Sequence, residues 1–383
     1  MCAILWPTAT PGIFNDLTTV ECIFGAWRAA VLRRHKPYRA MLRMWGPNRP
    51  FNRSGAIMNR FATLLVIPCL NEESYLPNLL EGLLPQALAR EIWVVDGGST
   101  DRSCEIVENM ARITPRIRLL HNPDVTQASG VNMAARMAQA RGYEIMIRAD
   151  AHELYPRDFV ETLVETMIAK DADSVTVPMI ATRRVADPWQ RAAADLQRGW
   201  LGHGGALHRR RAKSGWVSHG HHAAFRLDRF NVLGGYDASF VANEDVEYDE
   251  RLIAAGGRIW MEQSAAIRYF PRRSPKALFR QMLRNGRWRL QTARKHRSML
   301  GLRQNLPVLA TLMLLISLPS ALVLHPAAAL PALGYMALIL LLSARCGRSS
   351  LRIAWLALLS HLGFGLGVLS ALIRRTPPVQ GRP

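Results

Sequence analysis

Asp150 and His152 stand two residues apart at the end of the apolar run Ile145-Met146-Ile147, in the sequence Ile-Met-Ile-Arg-Ala-Asp-Ala-His. At i and i+2 of an extended segment their side chains share one face. A carboxylate oxygen beside an imidazole nitrogen suits Mn²⁺ or Mg²⁺, with phosphate oxygens and water filling the other positions. A second acid, Asp96, follows the run Ile92 to Val95 and opens the turn Asp96-Gly97-Gly98-Ser99-Thr100-Asp101. Two glycines let backbone approach a ligand, and Asp96 is placed to accept bonds from a ribose or a base. Taken alone, the same turn serves equally well as a helix cap through Ser99 or Asp101. The densest acidic stretch of the chain is Asn243-Glu244-Asp245-Val246-Glu247-Tyr248-Asp249. Carboxylates are favourable in a first helical turn, and an acid there could equally act as a general base on a substrate hydroxyl.

These residues need elements to hold them. Phe61 to Pro68 is a β-rich apolar run, and after it Leu76, Leu79, Leu80, Leu83, Leu84 and Leu88 recur at helical spacing, with Pro77 tolerated in the first turn. Ile92 to Val95 is a second strand, followed by a helix with Ile106, Val107 and Met110 on one face. A third strand near Arg118 to Leu120 and an Ala-rich helix from Gln127 to Ala140 lead into the strand before Asp150. Phe159 to Ile168 is another amphipathic helix, and Ser174 to Met179 another strand. Strands alternating with helices predict an α/β fold with a doubly wound, mostly parallel sheet, whose ligands bind at the carboxyl ends of the strands. The first turn has neither the G-x-G-x-x-G of a dinucleotide site nor the G-K-[ST] of a P-loop. His219, His221 and His222 match no structural zinc spacing and read as loop or pocket residues.

The chain has 383 residues and a formal charge of +20, which points to an anionic partner. Many of its cations fall between Arg268 and Arg303, where there is no Asp or Glu, just before a strongly apolar tail. Basic residues beside a membrane span are drawn to anionic headgroups, so membrane lipid is the expected partner and nucleic acid is not. Leu306 to Leu324, Ala327 to Ala344 and Leu351 to Ile373 are each near the length of a bilayer crossing. Arg345, Arg348 and Arg352 separate the second from the third, while only His325-Pro326 separates the first two. The positive-inside rule then places the catalytic part and the Arg345 loop in the cytoplasm. Arg374 and Arg375 fit a third full span poorly, so the last segment, with Gly363, Gly365 and Gly367, is read as spanning, re-entrant or interfacial. Five cysteines without a C-x-x-C pair favour a reducing compartment. The expected division is a basic, disordered arm over 1–57, a catalytic domain over 58–300 and a membrane domain over 301–383.

Val66-Ile67-Pro68-Cys69-Leu70-Asn71-Glu72-Glu73, Val94 to Asp101, Arg148 to His152, His219 to Asp237 and Asn243-Glu244-Asp245 occur in this order, followed by Gln281 to Trp288. Together they resemble the family 2 glycosyltransferases of the GT-A fold, most closely the ExoA type of succinoglycan biosynthesis. The resemblance spans residues 61 to 298 and continues into the apolar tail. It implies that Pro68, Glu73, Asp96, Arg148 and Asp150 lie by the nucleotide sugar, a UDP-sugar before others. It implies a metal motif of Asp150 and His152, where His152 replaces the second Asp that many members carry and can still ligate Mn²⁺. Asp245 is implied as the base with Glu244 beside it. Arg284, Arg287 and Trp288 are implied to close over the pyrophosphate, and His221, His222, Gly235 and Tyr236 to face the acceptor.

Transfer from a nucleotide sugar needs a cation on the leaving diphosphate, donors that replace lost hydration, and a base at the acceptor hydroxyl. One base and no second carboxylate nucleophile mean a single displacement with inversion, by analogy with the two glycosidase geometries. The expectation is an inverting transferase of the inner membrane, extending a polyprenyl-diphosphate-linked saccharide on its cytoplasmic face. A polyprenyl-phosphate glycosyltransferase or a processive synthase is the alternative enzyme. A scaffold binding anionic lipid is the alternative of another class, and it needs none of Asp96, Asp150 and Asp245.

Overall fold

The computed structural model describes residues 61–86, 88–182, 187–203, 213–345 and 349–373. The arm expected over 1–57 and the pair Arg374-Arg375 lie outside them. The chain opens with β1 (Thr63–Cys69), buried on both faces, then α1 (Leu76–Leu83), β2 (Ala89–Asp96), α2 (Ser103–Ile113), β3 (Ile117–His121) and α3 (Gln127–Ala140). The helix α3 starts where predicted because the Thr126 side chain caps it, accepting from the Ser129 amide at 3.2 Å. There follow β4 (Ile145–Arg148), β5 (Glu153–Leu154), α4 (Phe159–Lys170), β6 (Ser174–Val177) and β7 (Met179–Ala181). Next come α5 (Pro188–Arg198), α6 (Trp200–His203), β8 (Gly215–Val217), β9 (His221–Arg226), α7 (Leu227–Val232), α8 (Glu244–Ala254), β10 (Ile259–Met261) and β11 (Ile267–Tyr269).

The main sheet runs β3-β2-β1-β4-β9-β6-β10-β8. Its first four strands are parallel, as the alternation predicts, while β9 enters antiparallel between β4 and β6. A core of Leu64, Val66, Trp93, Val131, Met146 and Phe225 joins the sheet to α3, and Phe230, Tyr236 and Tyr248 extend it under α7 and α8. Two local expectations change. The predicted strand over Ser174 to Met179 divides at Pro178, which has no amide hydrogen to continue a ladder, and β7 joins β11 and β5 in a second sheet. The strand β4 ends at Arg148, so Asp150 and His152 occupy a turn rather than one face of a strand. Tyr155 holds that turn, its hydroxyl accepting from the Asp150 amide at 2.6 Å.

Behind the sheets lie α9 (Pro275–Lys295), capped by Ser274, and three apolar helices, α10 (Leu302–Val323), α11 (Leu330–Ala344) and α12 (Ser350–Ile373). All three are long and apolar enough to cross a membrane, α11 counted with the turn Pro326–Ala329 before it, but they differ in surroundings. Only 17% of the apolar stretch of α10 is buried within the protein, against 44% for α12. Ile353, Ala354, Leu356 and Ala357 of α12 pack in one cluster with Ala192, Ala193 and Leu196 of α5. Its glycines then let it meet α9 backbone to backbone. A Cβ on Gly367 would stand 2.2 Å from the Leu283 carbonyl, and one on Gly286 2.1 Å from the Phe364 carbonyl. Gly286→Ala is therefore expected to force α9 and α12 apart and destabilise the protein by roughly 1–3 kcal/mol. Differential scanning fluorimetry of detergent-purified protein would register this as a lowered midpoint. An unchanged midpoint would mean that the contact is dispensable.

Candidate active site

The carboxyl ends of β1, β2 and β4 open on a cavity of about 180 Å³ lined by Pro68, Glu72, Gly97, Gln127, Asp150 and His152, among others. The turn after β2 is rigid: Asp96, 3% exposed, accepts from the amides of Gly98 at 2.9 Å and Ser99 at 3.1 Å. Burial works to raise its pKa, but hydrogen bonds from Ser99 and Gly98 outweigh burial and hold it below the ordinary carboxylate value. Glu73 points to the start of α2, where it accepts from the Arg102 amide at 3.0 Å. Asn71 ties the β1 and β2 turns together, its side-chain oxygen accepting from the Thr100 amide at 2.8 Å.

Arg148, 6% exposed, is the hub. Its Nε donates to Asp150 Oδ1 at 3.0 Å, and its Nη1 donates to the Tyr236 hydroxyl at 3.1 Å and lies 3.8 Å from Glu244. Gln127 adds a second hydrogen bond to Asp150, at 3.1 Å. One guanidinium thus bridges the metal-motif acid and the acid pair that opens α8. Burial opposes ionisation of Asp150, and Arg148, the strongest of the opposing groups, outweighs it and brings the pKa to about 2. Tyr236 in turn lies 2.8 Å from His222 Nδ1, and His222 Nε2 lies 2.6 Å from Asp249, which also holds His219 at 2.7 Å. Since Tyr236 accepts from Arg148, its proton goes to His222 Nδ1, leaving Nε2 to donate to Asp249. His222 and Tyr236 are therefore a buried frame behind Arg148. Gly235 supports the same frame with a φ of 68° and a carbonyl that accepts from Arg251 at 2.6 Å.

Asp150, Glu153 and His221 offer ligand atoms that all lie within 4.8 Å of one another. Two carboxylates and an imidazole form a donor set that fits Mn²⁺ or Mg²⁺. His152 stands at the cavity rim with Nδ1 3.3 Å from Glu72, a bond that raises its pKa to about 9. Sequence spacing pointed to His152 and passed over Glu153, because nothing in one dimension shows that β9 carries His221 to it. Glu153 is 3% exposed and accepts from Tyr155 at 2.8 Å.

On the other side of Arg148, burial first and Asp245 second raise the Glu244 pKa from 4.5 to about 7, against the pull of Arg148. Ionising Glu244 is then harder in the folded protein than in the unfolded chain. Its contribution to stability falls as pH rises from 4.5 through about 7. Glu244→Gln is expected to flatten the decline of the melting midpoint between pH 5 and pH 8; an unaltered pH profile would assign that decline to other groups. Of the basic segment on α9, Arg284 is exposed and feels the Glu244 charge, while Arg287 donates to Ser370 of α12 at 3.0 Å. Trp288 is buried against Phe240 with ring centroids 5.0 Å apart. The structure thus brings Arg284, Glu244, Arg148 and Asp150 together and turns Arg287 toward the apolar helix α12.

Residues 64–234 match the profile of glycosyl transferase family 2. The chain is 44% identical over 249 residues to the succinoglycan biosynthesis protein ExoA of Rhizobium meliloti, covering 64% of this chain and 74% of that protein. The chain belongs to glycosyl transferase family 2. A shorter likeness, 34% identical over 108 residues, links this family 2 chain to the dolichyl-phosphate beta-glucosyltransferase ALG5A of Trichomonas vaginalis, covering 26% of this chain and 33% of that one. Among solved structures, the mannosyltransferase PcManGT of Pyrobaculum calidifontis, determined with GDP-Man and Mn²⁺, aligns with a TM-score of 0.55 and 19% identity. It covers 92% of this chain and 99% of that one, so the likeness of fold reaches into the apolar helices of the family 2 chain.

Proposed function

We propose that this family 2 enzyme is an inverting glycosyltransferase of the inner membrane. It moves a hexose from a nucleoside-diphosphate sugar, UDP-linked before others, to a polyprenyl-diphosphate-linked saccharide in exopolysaccharide assembly of the succinoglycan type. The observation that carries the reading is the Arg148 bridge between Asp150 and Glu244. It sets a donor-side acid and an acceptor-side acid pair on either side of one buried cation, at the mouth of the strand-end cavity. The donor's nucleotide lies against Pro68, Asp96 and the Gly97 turn, and its diphosphate lies toward Asp150 and Arg284. A divalent cation held by Asp150, Glu153 and His221, with His152 in reach at the rim, would neutralise the leaving diphosphate. Asp245 takes the acceptor proton as the hydroxyl attacks from the face opposite the nucleotide.

The helices α10 and α11 fit a membrane hairpin that begins and ends on the catalytic side. In the same reading α12 does not complete a third crossing, because it is docked along its length on α5, α6 and α9. The His361 ring lies 3.2 Å from the Leu201 carbonyl, and Arg294 donates to the Ala371 carbonyl at 2.7 Å. Cations of α9 at hydrocarbon depth would be costly. A reporter fused after residue 383 is expected to read out on the same side of the membrane as the catalytic domain, and an opposite-side signal would restore three crossings.

Membranes containing the protein, incubated with a panel of radiolabelled nucleotide sugars, should yield label in the organic phase that mild acid releases from its lipid diphosphate. Product in the aqueous phase alone would remove the lipid-linked acceptor, and product stable to mild acid would favour a glycosyl group carried otherwise.

A further inference from the structure

Two arginines at the junction of α9 and α10, Arg289 and Arg303, have no ion pair or hydrogen bond among the described residues. Of the cations between them, Lys295 lies 2.6 Å from both Asp237 and Glu247 and His296 lies 3.2 Å from Glu247, while Arg297 is exposed on the connecting turn. The position of Arg289 follows from how α9 crosses α8. Near one end the Asn285 carbonyl accepts from Asn243 at 3.2 Å, and at the other His296 approaches Glu247 and Glu250. Residues 285, 289 and 296 fall on one face of a helix. Arg289 therefore lies between those contacts, over the first turns of α8, where Asp245 stands. The start of α10 is brought to the same place, because Val308 packs with Leu290 and Leu300 in one apolar cluster.

Arg289 is half-buried, and its pKa is held below the ordinary arginine value by burial first and by Arg303 as well, against the pull of Glu250 and Asp245. Glu250 and Asp245 act on Arg289, yet no carboxylate among the described residues lies within ion-pair distance of either guanidinium, which leaves their N–H groups free to donate to a phosphate, a group that takes several donors at once. Arg284 lies five residues earlier, about 7.5 Å along the helix axis, on the Glu244 side, where its like-charged neighbour is Arg272. The acids Glu244 and Asp245 are thus flanked by two separate arginine pairs. From Arg303 onward, α10 exposes Leu306, Leu309 and Ile316 on one side, an apolar track leading away from the basic pair.

We propose that Arg289 and Arg303 seat the phosphate of the acceptor's isoprenoid carrier. The carrier's hydrocarbon follows α10 into the bilayer and its sugar reaches Asp245, while Arg284 and Arg272 are left to the donor. The inference rests on the lipid-linked acceptor proposed above.

Full-length protein in a phospholipid-free detergent is titrated with farnesyl diphosphate, farnesol, phosphatidylglycerol and UDP, and the same set is run on Arg289→Gln/Arg303→Gln. Wild-type protein is expected to prefer farnesyl diphosphate to farnesol, and the double variant to lose roughly 10- to 100-fold in affinity for the diphosphate. Its UDP affinity should be unchanged, and Arg289→Lys/Arg303→Lys should recover part of the loss. Equal binding of farnesyl diphosphate by wild type and Gln variant would overturn the seat while leaving the lipid acceptor standing. No preference of wild type for farnesyl diphosphate over farnesol would instead overturn the lipid acceptor itself. A parallel loss of UDP binding would move the pair to the donor site. Arginine-dependent binding of phosphatidylglycerol as tight as that of farnesyl diphosphate would make it a headgroup contact and overturn the assignment.

Discussion

Asp150→Ala is expected to abolish sugar transfer, a loss of at least about 10²–10³-fold. Two effects add. The diphosphate loses the carboxylate on which Glu153 and His221 converge. Arg148 loses its bidentate partner while remaining buried, with Glu244 3.8 Å away as the nearest acid left. An unpaired buried charge is destabilising, so Asp150→Asn, which keeps the shape and one acceptor oxygen for Arg148 and Gln127, should be measured beside it. Expression and a single melting transition would show that the fold survives. Turnover across a Mn²⁺ titration should then show that added metal does not rescue either variant. His152→Asp, at the cavity rim, should retain substantial activity, because it restores the carboxylate more usual at that position. Full turnover by Asp150→Ala in excess chelator would sink the metal assignment.

Much of the frame around Asp150 was readable from the residues because its signals are local. β1, β2 and β4 carry the apolar runs Leu64 to Ile67, Ile92 to Val95 and Ile145 to Ile147, and α3 has the bounds its pattern predicts because Thr126 caps it. The apolar tail was readable too, since length and composition alone set a membrane candidate. Contacts that join distant segments were not. Glu153 reads as one more charge after His152, and only the antiparallel entry of β9 shows that His221 meets it. Tyr236 and Asp249 read as a turn residue and a helix acid, whereas the fold threads them through His222 into the support of Arg148. A helix packed on protein and a helix left largely uncovered can share the same composition, so α12 looked like its neighbours. The glycines at 363 and 367 were the available signal, because a smooth stripe lets backbones approach.

Asp245→Asn is expected to lower kcat by about 10²–10⁴-fold, the usual contribution of a general base, while leaving the KM for the nucleotide sugar nearly unchanged. In the proposed mechanism the two acids at the start of α8 divide the task by position. Glu244 faces Arg148 and is raised by burial first and Asp245 second to about 7, so part of its population carries a proton at neutral pH. The charge of Asp245 acts on His219 and Arg289, raising the pKa of the first and opposing the lowering of the second. An amide at 245 preserves the size and keeps an oxygen for the Val246 amide, which now donates to Asp245 at 2.8 Å. The helix should therefore start as before. Only the capacity to take a proton is lost. Calorimetric titration with a nucleotide sugar in the presence of Mn²⁺ should give the wild-type affinity, and single-turnover measurements should place the defect in the chemical step. Near-normal turnover by Asp245→Asn would take the residue out of the mechanism and make Glu244, already 3.8 Å from Arg148, the base to test next. A collapse of donor affinity would instead assign Asp245 to the nucleotide side.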